Sequence, residues 1–174
     1  GSGHRSAFVM MALNLLGYTN VRSMLSGFAA WTAAENPSTT DVTVVEPATA
    51  PTFDADVFTV VEAFLASIPQ GYWVVRPADL SIELAENPDV LLVDVRTEGE
   101  YANGYIAGAV HIPLADFMTR VGEIPADMPI VLYDNPTHRS SMALVALKML
   151  GYENVRVLGG GTGGWEKAGF TLEK

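Results

Sequence analysis

The nine residues YDNPTHRSS, 133 to 141, follow a run of apolar residues and lead into an amphipathic stretch, where many enzymes set an anion-binding loop. The loop carries a carboxylate at Asp134, an imidazole at His138 and a guanidinium at Arg139. Arg139 and the loop N–H groups favour an anion, and the Asp134 carboxylate can itself be that anion, permanently attached. Pro136 has no N–H to give. Asp134-Asn135-Pro136 is equally good turn chemistry, because Asp and Asn cap turns with their own side chains. His138 reads as a surface or hydrogen-bonding histidine more readily than as a base. Hydrolysis through an aspartyl intermediate would require Mg²⁺ and neighbouring carboxylates, and no acidic pair adjoins Asp134 in sequence.

Other chemistry-bearing residues carry structural expectations. Asp94 and Arg96 sit at the end of an apolar run and suit an internal ion pair or hydrogen bonds that brace loops. Gly159 to Gly161 with Gly163 and Gly164 could cradle a phosphate, yet no Lys-Ser or Lys-Thr follows, so close backbone packing explains them better. Trp31 and Trp165 read as core anchors. No metal site and no cofactor are expected.

Composition narrows the partners. The chain has 174 residues, 49% of them hydrophobic, enough for one good core and a remainder. Its formal charge of -10 repels phosphate backbones and anionic membrane surfaces, so neither nucleic acid nor membrane is an expected partner. No apolar run reaches the roughly 18 to 20 residues of a membrane span. The absence of cysteine from these residues excludes disulfides, thiolate metal sites and a thiolate nucleophile among them, and leaves the redox compartment open.

An internal repeat organises the chain. HRSAFVMMALNLLGYTNVRSMLSGFAAW, 4 to 31, aligns without gaps on HRSSMALVALKMLGYENVRVLGGGTGGW, 138 to 165. His4, Arg5, Ser6, Ala12, Leu13, Leu16, Gly17, Tyr18, Asn20, Val21, Arg22, Gly27 and Trp31 recur identically. The expectation is a C-terminal fragment of a first domain at 1 to 35, a Pro/Thr-rich linker at 36 to 52, an amphipathic helix at 53 to 71, and a complete domain at 72 to 174.

Within the complete domain, YWVVR (72 to 76), VLLVDV (90 to 95), IPL (112 to 114), PIVLY (129 to 133) and NVRVL (154 to 158) predict strands. Helices are predicted from Pro77 to about Glu86, and over 97 to 102, 114 to 121 and 140 to 150. Strands alternating with helices predict an α/β fold with a doubly wound parallel sheet, and the 133 to 141 loop then lies at the carboxyl end of a strand.

DVRTEGEYANGYIAGAVHIPL at 94 to 114, PIVLY with the loop ending His138-Arg139-Ser140, LGYENVRVLGGG and Trp165 together resemble the rhodanese family of sulfurtransferases. The resemblance spans 72 to 170, and residues 1 to 31 resemble the last third of a second such domain. It implies a rhodanese-like fold and an active loop of the form C-x-x-G-x-R, whose N–H groups lower the thiol pKa and hold a persulfide. Asp134, Asn135, Pro136, Thr137, His138 and Arg139 match that loop, so the resemblance places Asp134 at the nucleophile and implies an inactive second domain. Gly1, Ser2, Gly3, His4 and Arg5 match the five residues after the cysteine. A cysteine just upstream of Gly1 would complete a first-domain loop for a sulfur donor or anionic small molecule, although Gly1-Ser2 also fits a cloning remnant. Residues 1 to 35 are expected to need a missing N-terminal segment or a second chain to complete them. Sulfane sulfur transfer and a non-enzymatic binding module both remain open.

Overall fold

The computed structural model describes residues 3–41 and 51–174, so Gly1, Ser2 and most of the expected linker lie outside the described residues. The chain divides into two compact units, Gly1–Ser67 and Ile68–Lys174.

The first unit holds α1 (His4–Leu15), α2 (Gly27–Ala33) and α3 (Ala55–Ser67). α1 buries His4, Phe8 and Ala12, an i, i+4, i+8 stripe, together with Ala7. Phe8 meets Phe64 of α3 edge-on at 5.8 Å between ring centroids. The start of α3 is set by Asp54, whose carboxylate accepts the N–H groups of Asp56 and Val57 at 2.8 and 3.2 Å. The described linker residues on either side of the undescribed ones carry no helix or strand.

The second unit runs β1 (Val74–Val75), α4 (Pro77–Glu86), β2 (Leu91–Asp94), α5 (Glu98–Ala102), β3 (Val110–His111), β4 (Ile130–Tyr133), α6 (His138–Met149), β5 (Val155–Leu158) and α7 (Gly161–Lys167). All five strands are parallel in the order β1-β5-β4-β2-β3. β4 sits at the centre, with Ile130 opposite Val155 on one side and Leu92 opposite Val131 on the other. Each strand of this kind is covered on both faces, which is why VLLVDV and PIVLY read as continuous apolar runs. Leu92, Val131, Tyr133 and Leu158 face Leu80 of α4 and Trp165 of α7. Ile130, Leu132, Val155 and Val157 alternate to the opposite face, which α6 covers. Fully burying each such side chain contributes about 1.5–3 kcal/mol.

Two expected elements differ. IPL at 112 to 114 is not a strand, because Pro113 has no N–H for a ladder; the pairing lies upstream, where Val93 faces Val110 and Asp94 faces His111. The expected helix over 114 to 121 is a series of tight turns. Its backbone N–H groups reach carbonyls three residues back, as in Phe117 to Leu114 and Thr119 to Asp116, and end in a 3₁₀ turn at Val121–Glu123. Phe117 is nonetheless fully buried, so the apolar periodicity marked core contact rather than helix.

Tyr133 ties the sheet to the loop before β3. Its hydroxyl accepts the Ile106 N–H at 3.1 Å with no solvent exposure, and burial pushes its pKa up. Replacing Tyr133→Phe leaves that N–H without an acceptor. The expected loss is about 1–3 kcal/mol in urea unfolding, and unchanged stability would show that the hydroxyl is not the acceptor.

Candidate functional site

The site lies where β4 hands over to α6, at the carboxyl ends of the central strands. Asp134, the first residue after β4, has no solvent exposure. One carboxylate oxygen accepts the Ser140 N–H at 3.1 Å and the Ser140 hydroxyl at 2.6 Å. The other accepts the Arg139 N–H at 3.0 Å and lies 3.5 Å from Arg139 Nε. Two of these donors are first-turn N–H groups of α6, which have no partner inside the helix and carry its positive dipole end. The carboxylate therefore takes the donors that the first turn of α6 presents. Sequence reasoning named Arg139 for this role but not Ser140, whose position one turn into the helix was the available signal.

The backbone around Asp134 is equally constrained. Its carbonyl accepts the Thr162 N–H at 2.9 Å, and a Cβ on Gly161 would lie 1.9 Å from that carbonyl oxygen. Close backbone packing thus accounts for Gly161. The Asn135-Pro136 bond is cis. Thr137 takes φ 135, a value that favours glycine, and is held there by its surroundings. Its hydroxyl accepts the Gly160 N–H at 3.0 Å, and its carbonyl accepts the Ser141 hydroxyl. His138 begins α6 with Nδ1 buried and without a hydrogen-bond partner among the described residues.

Arg139 reaches outward as well as inward. Its terminal nitrogens meet Glu100 in a two-pronged pair at 2.6 and 2.7 Å. Glu100 sits in the first turn of α5 and caps it reciprocally with Thr97. The Arg139 guanidinium holds the Glu100 carboxyl at about 2, against burial that pushes the other way and with help from Thr97. Glu100 escaped the sequence reading as a site residue, although T-E-G-E is a capping-box signature. The site then holds two carboxylates to one guanidinium, an unfavourable field for an incoming anion.

Asp94 and Arg96 lie at the end of β2. Arg96 binds the Asp94 carboxylate through Nε at 3.0 Å and a terminal nitrogen at 2.6 Å, and donates to the Gly104 carbonyl at 2.7 Å. They face each other rather than the Asp134 carboxylate. Trp165 is 6% exposed and donates its indole N–H to Thr171 O, whereas Trp31, expected as a core anchor, is 38% exposed. Trp31 lies on the short helix α2 and donates its indole N–H to the Pro37 carbonyl at 2.9 Å. Of the first-unit loop, Gly3 adopts φ 96 ahead of α1, His4 is buried beside Phe8, and Arg5 is exposed; Gly1 and Ser2 lie outside the described residues. Among the described residues no group of three His, Cys, Asp or Glu could hold a metal.

Two measurements check this geometry. Thr137→Gly should be more stable than Thr137→Ala, since both lose the hydroxyl but only glycine relieves φ 135; the reverse order in thermal melts would contradict the strain. For Glu100 the folded pKa is below its unfolded value of 4.5, so its stabilisation is complete above that pH and lost as pH falls toward about 2. With its side chain 41% exposed, solvent screening holds the effect to about 1 kcal/mol. Urea unfolding should show wild type above Glu100→Gln at neutral pH, the gap closing across that window.

Residues 77–168 match the Rhodanese-like domain family. A protein of Allochromatium vinosum named Sulfurtransferase is 40% identical over 93 residues, covering 53% of this chain and 87% of that protein. Thiosulfate sulfurtransferase GlpE of Pseudoalteromonas translucida is 30% identical over 88 residues, 51% of this chain and 84% of that one. Among solved structures, a rhodanese-like domain protein of Staphylococcus aureus is 29% identical with a TM-score of 0.52, covering 57% of this chain and 95% of that one. The Alr3790 protein of Anabaena is 28% identical with a TM-score of 0.54, covering 57% of this chain and 81% of its own. The parallel five-stranded sheet, the loop between β4 and α6 and this match agree, and the chain belongs to the Rhodanese-like domain family.

Proposed function

We propose that the domain spanning 77–168 is a non-catalytic rhodanese module in which Asp134 takes the position of the family's cysteine and its carboxylate fills the anion site. The observation that carries this reading is the carboxylate itself, unexposed and accepting from the Arg139 and Ser140 N–H groups and the Ser140 hydroxyl. A carboxylate oxygen cannot take up a sulfane sulfur and release it again, as a thiolate does. A thiosulfate brought within ~4 Å of such a charge would meet about 4 kcal/mol of repulsion per charge pair at an effective dielectric of ~20.

Sulfur transfer by this protein then belongs to the first copy of the repeat, at the loop ending Gly3-His4-Arg5, through a cysteine just upstream of Gly1. The sulfurtransferase names of the relatives support a sulfur-transferring family, and the residues repeated at 4 to 31 support a second loop of the same kind. A binding module without enzymatic activity is the second reading, favoured by the absence of any cysteine from these 174 residues. A thiosulfate:cyanide assay of the protein with that upstream residue in place separates them: thiocyanate is expected from the first reading, and none from the second.

The occupied site has its own test. Asp134→Gly leaves two helix N–H groups without their buried acceptor, while Arg139 keeps Glu100, and should cost about 1–3 kcal/mol. Formate should restore much of that stability in Asp134→Gly while leaving wild type unmoved. A variant indifferent to formate would show that the carboxylate does not fill an anion site.

A further inference from the structure

The sequence repeat extends to the backbone. α1 and α6 are both 12 residues long and start 134 positions apart, and α2 and α7, both 7 residues, are offset by the same 134. Positive φ values recur at that offset: Gly17 and Gly151 (87, 90), Ser26 and Gly160 (59, 79), Gly27 and Gly161 (60, 57), Glu35 and Gly169 (56, 94). Even the indole bonds repeat, Trp31 to Pro37 O at 2.9 Å and Trp165 to Thr171 O at 3.1 Å.

Burial does not repeat. Val9, Met24, Phe28 and Trp31 are 51, 43, 56 and 38% exposed, whereas their counterparts Ala143, Leu158, Thr162 and Trp165 are 0, 0, 3 and 6% exposed. α1 is buried along Phe8 and Ala12, whose counterparts Met142 and Ala146 are only half-buried in α6. The residues that α6 buries are thus more open in α1, where Ser6 and Val9 are exposed, Met10, Met11 and Leu13 half-buried, and Ala7 alone buried. Residues 21–24, the counterpart of β5, form no strand.

We infer that the face formed by Val9, Met24, Phe28 and Trp31 docks the strand-bearing part of a rhodanese domain, equivalent to residues 68–137 and preceding Gly3 on the same polypeptide. On docking, residues 21–24 become an interior strand of a parallel sheet. This rests on the reading above that the two stretches are copies of one domain. The occupant follows from the geometry of the complete copy. There, β4 runs through Asp134, Asn135 and Pro136 into Thr137, which precedes α6 with positive φ as Gly3 precedes α1, so the pairing strand enters from the N-terminal side of Gly3. A folded second copy cannot substitute, because β5 already fills the slot between β4 and β1 in its own sheet.

The test uses the whole chain with a copy of its own residues 68–137 joined ahead of His4. Hydrogen exchange at 21–24 should slow at least ~100-fold relative to the unextended chain, as loop amides become core-strand amides. Phe28→Asp should lower the stability of the extended first unit at least ~100-fold while changing the unextended chain less than ~3-fold. Fast exchange at 21–24 in the extended chain would overturn the inference, and so would an added segment that stays unfolded there, since the same sequence folds against 138–174. Protection in the unextended chain that rises with its concentration would assign the face to a second copy instead. Formate rescue of Asp134→Gly reads the proposed site separately, so a negative result here with rescue intact rejects the docking face alone.

Discussion

The Asp134 carboxylate ties the chain just beyond a central strand to the unsatisfied first turn of the helix that follows. The first N–H groups of any helix need acceptors from outside it, and a buried helix start with none costs free energy. In α6 two of them are taken by a side chain only five and six residues back, which fixes both the direction of the helix and the path of the loop. The same loop then has to cross Asn135 to Thr137 in a tight space, with the Asp134 carbonyl pressed against Gly161 and Thr137 at a φ that β-branched residues rarely take. Such strain persists only where the surroundings determine the backbone more strongly than the residue does.

That constraint spreads through Arg139. Its backbone N–H and guanidinium belong to the Asp134 side, while its terminal nitrogens grip Glu100, which in turn caps α5. Loops after β2 and β4 are thereby joined by one side chain. Beside it, the pairing of Asp94 with Arg96 holds the β2 loop to Gly104 without reaching the Asp134 carboxylate. A loop built to receive a diffusing anion would leave such donors open to solvent. Here they are consumed inside the protein, by the side chain of the first residue after β4.

How much of this was legible in the sequence depended on the range of the interaction. Pro77 and Asn87 bound α4 at the expected residues because both signals act locally. The continuous apolar runs marked β2 and β4 because strands covered on both faces have no polar side to show. Arg139 and Glu100 are 39 positions apart, and nothing in either neighbourhood announces the other. Residues 114 to 121 misled for a related reason: Leu114, Phe117 and Val121 have helical spacing, yet the spacing records what Phe117 must reach, not the hydrogen bonds between.

The repeat separates local from long-range causes within one molecule. Residues 4–37 and 138–171 share helix lengths and left-handed positions, although the second stretch packs on β4 and β5 of its own unit and the described residues of the first unit hold no strand. Those features are therefore written in the local sequence: the Gly17 and Gly151 positions end their helices whether or not a core is present. Strand formation is different, since a strand's N–H and C=O groups are satisfied only by neighbours. Val21 and Arg22 are identical to Val155 and Arg156, but only the latter pair lies in a ladder. Identical residues adopting different states isolate the neighbouring strands as the cause. The burial of Trp165 beside the exposure of Trp31 follows from the same cause, because an indole is sequestered by the sheet beneath it and not by the short helix that carries it.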